Sequence, residues 1–266
     1  MRYYYGTMSL WSRNRQFTAL FFFFFALILV VAFGVYSALN KPASCTDGKR
    51  NQGELQTDCG GPCVRVCAVE STALIPLWSR VLPVRAGVYD VAAYIENHNA
   101  KFGVSHLPYS VKVYDKDNIL IQEIKGETYV NPAERFVIFQ SGIDTGKRIP
   151  ARAIVDVPIQ PTWERQTENY LPAIFTVKNR VLDQSQNPRV TATVTNSSQI
   201  DVVDVEAVVI VYNADGTAIA GSETIIPGVF QKNSSRTVVF TWPEDLIATD
   251  PYIEIYVRAN TVSQSR

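Results

Sequence analysis

The residues best suited to chemistry in this 266-residue chain stand within one short stretch. Cys45, Cys59, Cys63 and Cys67 are its four cysteines, spaced C-x13-C-x3-C-x3-C. Four thiolates could bind a structural zinc. Such sites usually take two C-x2–4-C pairs from either side of a longer loop. Here one cysteine stands alone, three cluster, and no histidine lies nearby. An even cysteine count in a short, core-poor stretch outside the cytoplasm points instead to two disulfides, and that reading is preferred over zinc. Three pairings are open to four cysteines, and spacing does not select one.

The loop between Cys45 and Cys59 carries Asp47, Asn51, Glu54 and Asp58, with Gly48 and Gly53 allowing sharp turns. Oxygen side chains at that spacing could wrap a hard cation, so calcium is the one cofactor the sequence suggests. The spacing is not that of an EF-hand loop, and Lys49 and Arg50 intrude. Asx turns that cap a small disulfide knot account for the same residues and are preferred.

Elsewhere chemistry is sparse. The chain has two histidines, His98 and His106, both near the first turn of a β repeat and read as exposed loop residues. No G-x-S-x-G elbow and no glycine-rich phosphate loop occur. The acidic runs at 115–117 and 213–215 suit turns, and Trp78, Trp163 and Trp242 suit core or linker packing. No catalytic residue is expected, and the protein is not read as an enzyme. Charge is balanced at 25 basic and 25 acidic residues, which argues against a nucleic-acid partner.

What must position the knuckle begins upstream of it. No charge occurs between Arg15 and Lys41, and residues 17–39 read FTALFFFFFALILVVAFGVYSAL. At about 1.5 Å per residue this run is long enough to cross a hydrocarbon layer of about 30 Å. It is too long for a signal-peptide core, and its end offers a poor cleavage site. Trp11 and Tyr36 suit the interfaces, and Arg2, Arg13 and Arg15 place the N-terminus in the cytoplasm. The expectation is a single-pass anchor in the cytoplasmic (inner) membrane, with everything after Leu39 outside.

After Cys67 the hydrophobic period is that of strands. Runs at 88–96, 107–115, 119–124, 135–140 and 151–159 are followed by a parallel set at 189–196, 203–213, 217–226, 236–242 and 252–259. Arg80-Val81-Leu82 matches Arg180-Val181-Leu182, Asn97 matches Asn196, and Val113-Tyr114-Asp115 matches Val211-Tyr212-Asn213. A period near 100 residues predicts two tandem immunoglobulin-like β-sandwiches, each with its own core. Val111 and Val113 should face the same way, as should Val209 and Val211. Pro158, Pro161 and Pro172 stiffen the connection, which favours an elongated rod.

Two resemblances accompany these readings. CTDGKRNQGELQTDCGGPCVRVC is similar to a short C-x-D-G-x-x-N-x-G-E-x-x-x-D-C-G-G-x-C-x-x-C module of predicted exported bacterial proteins, with three residues rather than two before Cys67. Thr195-Asn196-Ser197-Ser198, Val211-Tyr212-Asn213, Asp215-Gly216 and Pro227-Gly228 resemble the FxLYD type of bacterial β-sandwich. The first implies an extracytoplasmic location and the second an interaction or scaffolding module. Neither supplies a catalytic residue. The resulting expectation is all-β: a cytoplasmic tail (1–16), a transmembrane helix (17–39), a Cys-rich module (40–67), sandwich 1 (68–158), a linker (159–170) and an FxLYD-type sandwich 2 (171–262). The expected role is scaffolding or protein binding in the cell envelope, with other envelope proteins as partners. The alternative is a calcium-dependent sensor built on the knuckle.

Overall fold

The computed structural model describes residues 10–39, 44–185, 187–248 and 250–262. Arg2 and Lys41 lie outside the described residues, as do the side chains of Trp11 and Arg13. Two compact units, Met1–Asp47 and Gly48–Arg266, are taken in turn.

In the first unit, α1 (Leu10–Leu39) contains the apolar run Phe17–Ser37, whose mean hydropathy is 2.8 and whose side chains are all exposed. A helix this apolar on every side suits lipid, where backbone groups must be satisfied internally. Ser37 Oγ donates to the Gly34 carbonyl at 3.0 Å, so the polar side chain is absorbed by its own helix.

The second unit is all-β, as the period-2 runs require. The strands are β1 (Ile75–Arg85), β2 (Val88–Glu96), β3 (Phe102–Asp115), β4 (Leu120–Val130), β5 (Arg135–Asp144), β6 (Pro150–Asp156), β7 (Glu164–Arg165), β8 (Phe175–Asp183), β9 (Arg189–Asn196), β10 (Val202–Tyr212), β11 (Ala218–Phe230), β12 (Ser235–Thr241) and β13 (Tyr252–Arg258). Sheets β1-β2-β5 and β4-β3-β6 enclose one core, and sheets β12-β9-β8 and β11-β10-β13 enclose a second. Replacing β1–β6 with β8–β13 in order reproduces the pairing, so the two sandwiches share one topology.

The repeat extends to single hydrogen bonds. Asn97 Nδ2 donates to the carbonyls of Phe102 and Asn131, and Asn196 Nδ2 donates to those of Ile200 and Phe230. The Oδ1 of each accepts the amide two residues on, from Asn99 at 2.9 Å and Ser198 at 3.0 Å. Asn99 then holds both the amide and the carbonyl of Thr72, as Ser198 holds those of Ile174. A buried asparagine that satisfies three backbone groups is costly to replace, because each would be left unpaired. Val111 and Val113 lie in the first core, and Val209 and Val211 in the second, all fully buried.

Three features depart from the sequence expectations. Pro227-Gly228 is not a turn between strands but a bulge within β11. There Gly228 takes φ 69° and its amide donates to Asp204 Oδ1 at 3.2 Å. Residues 159–170 do more than link: Trp163 is buried in the first core, and β7 pairs with Phe102 and Gly103 of β3. The rod is also replaced by face-to-face packing. Sheet β1-β2-β5 lies on sheet β11-β10-β13 and forms a third apolar layer. Four stacked sheets result.

Candidate functional site: the knuckle and the junction between the sandwiches

The knuckle is built as turns closed by sulfur. Cys59 is bonded to Cys67, and no described cysteine is free, Cys45 and Cys63 being disulfide-bonded as well. The thiolates that zinc would need are therefore consumed. Glu54 is buried, and its Oε2 accepts the amides of Asn51 at 3.3 Å and Asp58 at 3.2 Å. Both Asp58 oxygens accept the Gly48 amide, at 3.1 and 3.0 Å. Asp47 Oδ2 accepts the Ser44 amide at 3.5 Å. Arg50, which intrudes on any cation shell, donates from Nε to the Glu54 carbonyl at 3.3 Å. The structure thus gathers Asn51, Glu54 and Asp58, but the carboxylates of Glu54 and Asp58 cap backbone amides. A cation entering there would have to replace those bonds.

The knuckle is docked rather than free. The Val66 amide donates to the Trp163 carbonyl at 3.0 Å, and the Arg165 amide to the Val64 carbonyl at 2.6 Å. Arg165 pairs with Glu70 at 2.5 Å, and Val66 and Leu74 enter the first core beside Trp163. Disulfide module and first sandwich therefore share one hydrophobic core.

The histidines stay exposed. His98 Nε2 lies 3.0 Å from Glu96, and His106 Nδ1 lies 2.8 Å from Glu127, but His106 sits on β3 and not in a loop. Asp115 accepts the amides of Asp117 and Ile119 and pairs with Arg148 at 2.6 Å. Asp215 accepts the Thr217 amide at 2.9 Å. Both acidic runs serve turns.

Sequence reading missed the junction between the sandwiches. Its centre is apolar: Leu82, Ala92 and Val137 from one side meet Val208, Ile210, Tyr212 and Ala218 from the other. Aromatic rings surround them, with Trp78 edge-on to Tyr212 and Tyr94 5.1 Å from Tyr256. Gly221 permits this approach, because a Cβ there would lie 2.6 Å from Phe139 Cε2.

At one end of the layer Arg258, at the end of β13, is buried against the first sandwich. Its guanidinium covers the Tyr129 ring at 3.8 Å and the Phe136 ring at 4.5 Å. Nη2 donates to the Tyr129 carbonyl, and Nε lies 3.5 Å from Glu134 and 3.8 Å from Glu206. Asn131 extends the clamp. Its Nδ2 donates to the Ala259 carbonyl at 3.0 Å, and its Oδ1 accepts from Thr261 N and Oγ1 at 3.1 and 2.9 Å.

Carboxylates also line the junction. Glu206 and Glu223 line a 470 Å³ cleft with Tyr109 and Glu127, and burial raises the affinity of both for protons. Arg258 opposes the shift at Glu206, and a bond from Ser141 opposes it at Glu223. Burial pushes Asp90 up to about 6, against the bond it accepts from the Gly142 amide.

The class this defines is an all-β protein of two immunoglobulin-like sandwiches, fused face to face and capped by a disulfide knuckle. No known protein family and no curated protein matches the chain. A crystal structure of red sea bream transglutaminase is similar at 10% identity, over 71% of this chain and 29% of that one, with a TM-score of 0.25.

Proposed function

We propose that this protein is a single-pass membrane protein whose knuckle and fused sandwiches lie outside the cytoplasm and act as a scaffolding and protein-binding module of the cell envelope. The observation that carries this reading is α1, in which every side chain from Phe17 to Ser37 is exposed along an apolar run. Such a surface is stable only in lipid or against other apolar segments. The oxidised cysteines support an extracytoplasmic setting. The arginines at 2, 13 and 15 support a cytoplasmic N-terminus in the inner membrane. The Asn196-Ser197-Ser198 and Asp215-Gly216 turns of the second sandwich support an FxLYD-type assignment, and Pro227-Gly228, a bulge within β11, does not. The fused junction supports scaffolding, because a rigid body presents its outer strands in fixed relation to one another.

Membrane fractionation with protease addition tests the reading. An intact chain that resists alkaline extraction, and loses its sandwiches to protease once the outer envelope is opened, supports it. A soluble, N-terminally shortened chain would make α1 a cleaved signal. Protection from protease would reverse the topology.

A further inference from the structure

A cleft of 510 Å³ lies between the β1–β2 hairpin of the first sandwich and the loop that joins β12 to β13 in the second. That is the size of a small-ligand site, and such sites favour the interfaces between domains.

The two copies differ at this loop. In the first sandwich five residues (145–149) join β5 to β6, and the turn closes on the β1–β2 hairpin. There Thr145 donates to the Gly87 carbonyl from its amide, at 2.9 Å, and from its hydroxyl, at 3.3 Å. In the second sandwich ten residues (242–251) join β12 to β13. This longer loop is pinned at two points. Trp242 is buried and its Nε1 donates to the Gly221 carbonyl at 2.8 Å, while Leu246 packs against the second core. Glu244 and Asp245 stand between the pins and remain exposed.

The facing wall is also fixed. Gly87 takes φ 76° and lies so close to Gly146 that a Cβ would come within 2.7 Å of its carbonyl oxygen. The hairpin held in this way brings exposed Arg85 and half-buried Tyr89 to the cleft. Tyr89, Ile219 and Trp242 give the cleft an apolar floor, and Ile247 at its lip is 95% exposed. Among the described residues, the side chains of Arg85, Glu244 and Asp245 form no ion pair or hydrogen bond.

A preformed cleft with an apolar floor, a cation on one wall and carboxylates on the other fits a ligand of the reverse arrangement. We propose that it binds a short peptide with free termini and apolar side chains. The peptide's carboxylate pairs with the Arg85 guanidinium, whose planar fork matches a carboxylate, and its ammonium pairs with Glu244 and Asp245. Its side chains cover Tyr89, Ile219 and Ile247. A simple anion would meet the two carboxylates and a simple cation would meet Arg85, so neither fills the cleft without repulsion.

Isothermal titration of the full chain in detergent tests it, with the dipeptide phenylalanyl-leucine as the probe. A saturable heat at one site per chain is expected. Acetylating the peptide's N-terminus, or amidating its C-terminus, should weaken binding about tenfold or more, since each removes one charge-assisted contact. Variants assign the two ends. In Arg85→Gln the free and amidated peptides should bind alike. In the double variant Glu244→Gln, Asp245→Asn the free and acetylated peptides should bind alike. All three positions are exposed, so the unfolding transition should stay in place. No saturable heat, blocked peptides that bind as well as the free one, or variants that bind as the wild type does would overturn the proposal. Protein in detergent has no sidedness, so this result is separate from that of the protease assay.

Discussion

Removing the Arg258 guanidinium should loosen the second sandwich from the first, and Arg258→Met tests this while keeping most of the side-chain volume. The Tyr129 carbonyl loses its donor at a buried position, which costs about 1–3 kcal/mol. Glu134, only 14% exposed, loses its cation, and breaking a buried pair from one side costs about 3–5 kcal/mol. Glu206 contributes less, because its side chain is 42% exposed and water screens it. The losses share atoms and do not simply add, so about 4 kcal/mol is expected. That is a large part of a typical domain stability of about 5–15 kcal/mol. Urea unfolding of the full chain in detergent, followed by tryptophan fluorescence, reads it directly, since Trp78 sits at the junction. The wild type should unfold in one transition and the variant in two, the first at lower urea. Adding Glu134→Gln should recover part of the loss, because the stranded charge is gone. Exposed Arg180→Ala serves as the control and should stay within about 0.5 kcal/mol. A loss below about 1 kcal/mol for Arg258→Met, with a single transition retained, would refute the reasoning.

Further outcomes follow from the same geometry. Asp90 is raised from 3.8 to about 6, so folding favours its protonated form. Its contribution, about 3 kcal/mol, is present below pH 4 and lost as pH rises through 6; Asp90→Asn should flatten that slope and raise Tm at pH 7.5. Val209→Asp places an unpaired charge in the second core and should cost several kcal/mol in the same urea assay. The second sandwich expressed alone should form its own core yet associate or bind hydrophobic dye, because Val208, Ile210 and Tyr212 lose their cover; a well-behaved monomer on size exclusion would contradict the fused junction. Millimolar calcium should leave Tm unchanged, since Glu54 and Asp58 already cap amides, and a saturable rise would restore the cation reading.

The strands, their division into two copies and the common facing of the paired valines were legible because burial on one face writes itself as alternation. The junction was written too, but in another form. Residues 207–212 read AVVIVY and residues 91–95 read VAAYI, unbroken apolar runs in which both faces of β10 and β2 are buried. Such runs mark a strand covered on two sides, which a rod of separate sandwiches does not provide. Arg258 could not be assigned from sequence, because a lone arginine at a strand end looks like any solvated charge until Tyr129 and Phe136 are known to enclose it. Trp163 suits core or linker packing by sequence, and only the return of the proline-rich segment to the first core decides between the two. The knuckle's oxidation was readable from the even, clustered cysteine count, whereas the capping role of Glu54 depends on which amides the turns present.

The central claim is that the two sandwiches are joined as one rigid body. Spin labels introduced as unnatural amino acids at exposed Lys116 and Lys232, one on each sandwich, measure that rigidity by pulsed electron resonance on the full chain in lipid nanodiscs. A single narrow distance distribution, unchanged by salt and broadened by Arg258→Met, is the expected result. A broad or multimodal distribution in the wild type would mean two sandwiches moving on a linker, and would contradict the fused junction.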